Sequence, residues 1–289
     1  MTPELLAEKA TDLLSLPEIV VRFNELLEDP NSNNADLEEV ILLDPSLTSK
    51  LLKIVNSSYF GFPGKVDTVS RAIRMIGYKE LKNLVMTAVI ADSFRGIPEH
   101  LIDMDIFWFH SVTSGVLAKL LAIRCNRLDS EHFFLSGLLH GIGKLLMFAE
   151  YPEKSAQILS LKDQGQEAMT MQEKQVFGFT HAQVGAELLK QWQLPETIWS
   201  LIENQLQPLT APKQVDEACI LNSAIKIADR IEPCAYVEIN FQDLNIDYND
   251  PVFRHLQLTE KEVAPLIQES NMQALEIMSF IRPEATFIF

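Results

Sequence analysis

The sequence predicts an all-α protein of two helical lobes, and three observations carry that expectation. Apolar residues recur at three- and four-residue spacing along most of the chain, as in Leu37, Val40, Ile41 and then Leu47, Leu51, Leu52, Val55. Helix start and stop signals are frequent. No stretch shows strand alternation or a β-branched run of strand length.

Taken in order, Asp36-x-x-Glu39 has the form of a capping box, and Asp44-Pro45 sets a cap before a proline at the first helical position. Pro45 disfavours a helical Asp44, so the helices on either side are expected to be separate. Thr68 caps a helix over Val69–Ile76, and Gly77 supplies a left-handed stop. Between these helices, NSSYFGFPGKVDT is a structured loop. Its aromatics Tyr59, Phe60 and Phe62 read first as a plug beneath the loop and second as a partner-docking surface. A helix over about 80–94 follows, and Gly96-Ile97-Pro98 breaks it.

Beyond that break the spacing predicts helices over Met104–Cys125, Ser130–His140 and Ile142–Glu150. The segment DQGQEAMTMQEKQVFGFT is more polar and mixed. Thr180-x-x-Gln183 is a second capping box, with His181 in the first turn of its helix. Pro195 opens a helix over Glu196–Asn204, LQPLTAPKQV is a loop, and Asp216–Ile231 is amphipathic. Thr259-x-x-Glu262 starts the last helix, running to Ile281. The joint between the lobes falls near 95–103, giving an N-terminal lobe over 1–98 and a C-terminal lobe over 99–289.

Composition bounds the function. The apolar fraction of 47% and charged fraction of 22% are those of an ordinary globular chain. Forty acidic against 24 basic residues give a formal charge of −16, a field that repels duplex nucleic acid and anionic membrane. Cys125, Cys219 and Cys234 are odd in number and lack CxxC spacing, as expected of reduced cytosolic thiols. The first twenty residues lack a basic n-region followed by an apolar core, so they do not read as a signal peptide. Phe133–Ala149 is the most apolar stretch, but Ser136, His140, Lys144 and three glycines interrupt it, and it reads as core. Cytoplasmic residence is the expectation.

Four residues on apolar helices have the chemistry of metal ligands: His110, His140, His181 and Asp229. Imidazole and carboxylate together suit Zn, Mn or Fe, and a metal so held would bind a phosphoryl oxygen and activate a water. Singly, each is more often a hydrogen-bonded core residue or an ion-pair partner. Their separations of 30, 41 and 48 residues are too long for a local metal motif. There is no P-loop, no GxGxxG after a strand and no GxSxG elbow. Gly141-Ile142-Gly143-Lys144 lacks the preceding strand that a phosphate loop needs. Arg71 and Arg74 share a helix face, which reads as solvated before it reads as an anion grip.

The order of these segments resembles the HDOD family, the HD-related output domains of bacterial signalling proteins within the HD phosphohydrolase superfamily. The resemblance runs from about 16 to 281. It rests on LPEIVVRFNELL, on ILLDPSLTSKLLKIVNSSYFGFPGKVDTVSRAIRMIGYKEL, and then on FWFHSV, SGLLHGIGKLLM, EKQVFGFTHAQVGAELLKQWQLPETIW and AIKIADRI. It implies a metal site at His110, at His140 with the next residue, and at Asp229. His181 falls at a further position used in the dinuclear subgroup. The chain departs from the pattern twice. The His-Asp pair is His140-Gly141, and Asn204-Gln205 stand where a later histidine pair is usual. Glycine donates no side-chain oxygen, and losing a ligand charge weakens a divalent site.

The reading is therefore a bacterial signalling module without catalytic turnover. It would act through a protein partner, with a nucleotide-like ligand in a vestigial pocket of His110, His140, Gly141, Lys144, His181, Asn204, Gln205 and Asp229, no metal required, and homo-oligomerisation left open. Helical family sequence begins almost at the N-terminus, so input is expected from a separate protein, an oligomer contact or a ligand. The competing reading is a phosphohydrolase with a reduced set, Mn, Fe, Zn or Ni on His110, His140 and Asp229, acting on a nucleotide or phosphodiester.

Overall fold

The structure is a computed structural model. It describes residues 1–13, 32–57, 60–94, 97–98, 100–127, 130–232 and 241–282, with isolated positions at 22, 25, 26, 29, 239 and 285. Tyr59, Cys234 and the start of the expected joint lie outside them. Every regular element among the described residues is a helix.

Local signals set most of the boundaries. Helix α1 covers Pro3–Leu13 and α2 covers Asn34–Leu42. The capping box of α2 is Asn33 with Asp36, three residues before the pair that the spacing suggested. Asn33 Oδ1 accepts from the Ala35 N–H at 2.8 Å, and Asp36 Oδ2 accepts from the Asn33 N–H at 2.8 Å. Asp36 thus serves as the third residue of the helix and not as its cap. Helix α3, Pro45–Val55, starts as expected: Asp44 Oδ1 accepts from the Ser46 and Leu47 N–H groups at 2.8 and 3.0 Å.

Asn56 then ties down the loop after α3. Its amide donates to the carbonyls of Leu52 and Val66, both at 2.6 Å, and its Oδ1 accepts from the Val66 N–H at 2.7 Å. Within that loop Phe60 and Phe62 stack at 5.7 Å and pack against the core. Helix α4, Val69–Ser93, is capped by Thr68 and runs through Gly77, where the expected stop is a kink. Gly77 has φ +78° and ψ 169°, a region that glycine alone enters without strain, so the chain bends and the helix resumes.

The second half begins with α5, Met104–Arg124, capped by Asp103. Trp108, Phe109, Val112, Leu117 and Leu121 are all buried, and the middle of α5, residues 111–118, is enclosed on every side. Around it lie α6 (Glu131–Leu139), α12 (Val215–Ala228) and α14 (Glu260–Ile281). Ion pairs Arg124–Glu262 and Arg282–Asp105, the latter at 2.7 Å, tie opposite ends of α5 and α14 and set them antiparallel. The remaining helices are α7 (Ile142–Glu150), α8 (Pro152–Leu159), α9 (Gln166–Phe177), α10 (His181–Gln191), α11 (Glu196–Asn204) and α13 (Pro251–His255). The polar segment before Thr180, to which the sequence reading assigned no element, is mostly helical.

Contacts cross the expected division at 98/99: α1 packs on α10 and α7, and α14 packs on α3 and α4. The stretches Met104–Arg124 and His132–Glu150 are apolar and long enough to cross a membrane by composition, and both are mostly buried in the fold. Core helices show the same property.

Candidate functional site

Glycines bring the site together. A methyl group on Gly137 would come within 2.5 Å of Gly115 Cα, so α5 and α6 cross with their backbones touching. That crossing sets His110 beside His140, with ring centroids 5.1 Å apart. A methyl on Gly143 would come within 2.0 Å of the His181 carbonyl oxygen, so α7 and α10 cross in the same way and seat His181 beside the turn that carries His140. No side chain larger than hydrogen fits at either crossing.

His140 ends α6, and Gly141 separates it from α7. Its Nδ1 donates to the Gly137 carbonyl at 2.6 Å. Burial holds the imidazole well below its usual pKa; neighbouring His110 and Lys144 push the same way, outweighing the opposing pull of the Gly137 bond and Asp229. His140 is therefore neutral near pH 7. Asp229 follows the last turn of α12, and His110 Nε2 meets its Oδ1 at 2.8 Å. Burial among protein atoms works to raise this carboxyl, but the His110 hydrogen bond, with His110, Lys144 and His140 nearby, holds it below the usual range. Solvent still reaches 47% of the Asp229 side chain, so screening keeps the pair energetically modest.

His181 opens α10, whose capping box is the one the sequence indicated: Thr180 and Gln183 satisfy each other's backbone N–H. Its ring is held by a residue that the sequence reading passed over. Glu173 on α9 accepts from the His181 backbone N–H at 3.0 Å and from Nδ1 at 2.8 and 2.9 Å. Both side chains are buried. Burial lowers the His181 pKa, and Lys144 adds to it against the pull of Glu173. Burial raises Glu173, but the two bonds and the attraction of His181 and Lys144 outweigh it, so the carboxylate is ionised. The only advance signal for Glu173 was an acid on a mixed segment eight residues before a histidine.

Gln205, at the end of α11, donates from Nε2 to the His140 carbonyl at 2.9 Å, and Asn222 on α12 donates to the Gln205 carbonyl at 2.7 Å. Asn204 turns back to the Ser200 carbonyl at 2.7 Å. His140, Lys144, His181, Asn204, Gln205 and Asp229 all line one cleft of about 1180 Å³. His110 and Gly141 are not among its lining residues.

Gly141 decides whether the superfamily's metal fits. A Cβ there would meet the Phe107 ring at 3.0 and 3.2 Å, tight contacts that the ring would relieve by moving a few tenths of an ångström. Among the described residues, no three His, Cys, Asp or Glu side chains converge to hold a metal ion. With no side-chain oxygen at 141, the residues present fall one acid short of the ligand set that the resemblance implies.

The HDOD domain model matches residues 13–208. Three solved structures share the fold. One, from Shewanella amazonensis SB2B, is named as a proposed phosphohydrolase (TM-score 0.77, 22% identity, covering 96% of this chain and 97% of that one). Another is an HDOD domain protein of unknown function from Geobacter sulfurreducens (TM-score 0.70, 24% identity, 96% of each chain). The third, from Marinobacter aquaeolei VT8, is named as a proposed signal transduction protein (TM-score 0.69, 24% identity, 95% of this chain and 60% of that one). At these identities the likeness shows the fold alone. The chain spans less than half the length of the curated relatives it matches, 45% of an uncharacterized protein of Treponema pallidum (strain Nichols), to which it is 23% identical over 236 residues. With the family model matching more than half of the sequence, and the helices arranged as in the solved relatives, the chain belongs to the HDOD family.

Proposed function

We propose that this HDOD chain is a cytoplasmic regulatory module that binds a protein partner and does not turn over substrate. The observation that carries the reading is the glycine at 141, which offers a metal no side-chain oxygen, with the Phe107 ring packed against it. The surviving polar groups hold one another: His110 bonds Asp229, His140 bonds Gly137, and His181 bonds Glu173. This spends the old ligands on order in the fold. The cleft they border remains open to a small ligand, through which partner binding would be tuned.

A second reading, a phosphohydrolase with a reduced metal set, draws on one observation. His110 Nε2 and Asp229 Oδ1 lie 2.8 Å apart, a spacing that two donors on one ion also show. Metal content separates the readings. Protein purified without chelator should contain far less than one equivalent of Mn, Fe, Zn or Ni and should not hydrolyse an activated phosphodiester. Stoichiometric metal that is lost with turnover in His140→Ala would overturn the regulatory reading.

A further inference from the structure

Acidic residues dominate the chain, yet one stretch of it is basic. Residues 45–82 hold seven of the 24 Lys and Arg and only two of the 40 Asp and Glu. Of those two acids, Glu80 is buried and meets Lys119 at 3.0 Å, which leaves Asp67 as the exposed one. Lys53, Lys65, Arg71 and Arg74 are all exposed, and among the described residues none of them makes an ion pair. Arg74 bonds the Ser70 hydroxyl at 2.9 Å, which leaves its charge unbalanced.

The fold gathers these four cations. Asn56 clamps Val66 through both its amide nitrogen and its side-chain oxygen, so the end of α3 is held against the chain entering α4. Lys53 stands on α3 three residues before the clamp, and Lys65 directly precedes Val66. Arg71 and Arg74 occupy the first two turns of α4, which packs on α3. One end of the helix pair therefore carries four exposed cations against the single exposed carboxylate of Asp67. Like charges held together repel, and a complementary anion relieves that cost.

The surroundings narrow the anion. A duplex or an anionic membrane extends well beyond this end and would meet the acidic remainder of a chain whose formal charge is −16. Single strands need open aromatic faces on which bases stack. Phe60 and Phe62, in the loop between the two helices, spend theirs on each other at 5.7 Å and on the core. A short run of carboxylates covers the patch and no more. Arginine suits such a partner, since its planar fork holds a carboxylate with two parallel hydrogen bonds.

We propose that this end of the α3–α4 pair docks an acidic segment of a partner protein, with Arg71 and Arg74 gripping its carboxylates and Lys53 and Lys65 flanking them. This rests on the reading of the chain as a partner-binding module, and names the surface and the chemistry it takes.

Fluorescence anisotropy of the full chain with a labelled hexaglutamate peptide tests it, at about 50 mM salt, where screening is weak. Saturable binding is expected. It should weaken by about tenfold or more in the double variant Arg71→Glu with Arg74→Glu, which turns two attractions into repulsions. Both side chains are exposed, so the variant should keep the thermal midpoint of the parent to within a few degrees. Lys53→Glu with Lys65→Glu gives the same readout should the first variant fail to fold. Lys213→Glu with Lys261→Glu is the control, since both lysines are exposed, lie before α12 and at the start of α14, and change the net charge equally. Absence of saturable binding, or an equal loss in the control, would overturn the proposal. So would tighter binding of a single-stranded oligonucleotide or of phosphatidylserine vesicles, which would assign the patch to nucleic acid or to membrane. Self-association of the parent that the Arg71 and Arg74 reversal abolishes would overturn it in favour of a second copy of the chain. Metal uptake and hydrolysis bear on the regulatory reading instead, so the two fail on different measurements.

Discussion

Gly143 lies beneath the backbone of His181 so closely that a Cβ at 143 would sit 2.0 Å from the His181 carbonyl oxygen. The obstacle is backbone, which cannot rotate away as a side-chain tip would. Gly143→Ala should therefore force α7 and α10 apart, and overpacking of this kind costs about 1–3 kcal/mol or more. For a chain of this size each kcal/mol lowers the thermal midpoint by roughly 2–4 °C. Gly185→Ala is the control. A Cβ there would meet nothing closer than 3.4 Å, so its midpoint should stay near that of the parent. Calorimetry that found the two variants equal would show that the crossing is looser than described.

Restoring the acid alone should not restore the ion. In Gly141→Asp the new side chain meets Phe107, which is an aromatic tip and can yield by a few tenths of an ångström. The variant should fold with a modest loss, on the order of 1–3 kcal/mol, and still take up little Mn or Zn. The double variant Gly141→Asp with Phe107→Ala frees the space and should bind metal more tightly than either single variant, measured by titration with metal-sensitive fluorescence. Equal uptake by the single and double variants would remove Phe107 from the explanation.

The sequence and the structure agree where a signal is local. Asp44-Pro45, Thr68, Thr180 with Gln183 and Thr259 with Glu262 all cap the helices they were expected to cap, because a cap needs only neighbours within three residues. The box at Asp36 shifted because Asn33, an equally good cap, stood three residues earlier. Helix α9 was illegible because its partners are tertiary: Glu173 is buried only where His181 comes to meet it. The neighbourhood of His110, His140 and Asp229 came from family resemblance, since spacings of 30 and 89 residues bring nothing together by themselves. What does bring His110 and His140 together is Gly115 against Gly137, and a small residue on an apolar helix does not announce its partner.

Acidification should weaken the fold from about pH 6.5 downward, before ordinary carboxylates titrate. Burial places both His140 and His181 below the unfolded imidazole value of about 6.5. A group whose folded pKa is depressed takes its proton more readily when unfolded. Its stabilisation is complete above the unfolded pKa and is lost as pH falls through 6.5 toward the folded value. Each such histidine contributes a slope of up to about 1.4 kcal/mol per pH unit in that window. Midpoints measured from pH 8 to pH 5 should fall steeply in the parent and less steeply in His140→Gln. A flat profile in the parent would mean that both rings take up protons as readily in the fold as in the unfolded chain.

The two histidine–carboxylate pairs should differ sharply in what they contribute. Glu173 and His181 are both buried, and Glu173→Ala leaves the His181 backbone N–H and Nδ1 without their acceptor and opens a void. Breaking a buried pair of this kind costs about 3–5 kcal/mol. Asp229 keeps nearly half of its side chain in solvent, so Asp229→Ala should cost about 1 kcal/mol or less. The same contrast separates structure from chemistry. Were His110 and Asp229 still a working metal site, Asp229→Ala would abolish metal uptake and turnover while barely moving the midpoint. As hydrogen-bonded remnants, they should leave the metal content of the parent unchanged. Denaturant unfolding of the two alanine variants, run beside metal analysis of each, gives both readouts, and equal destabilisation would mean that Glu173 does not anchor α10 through His181.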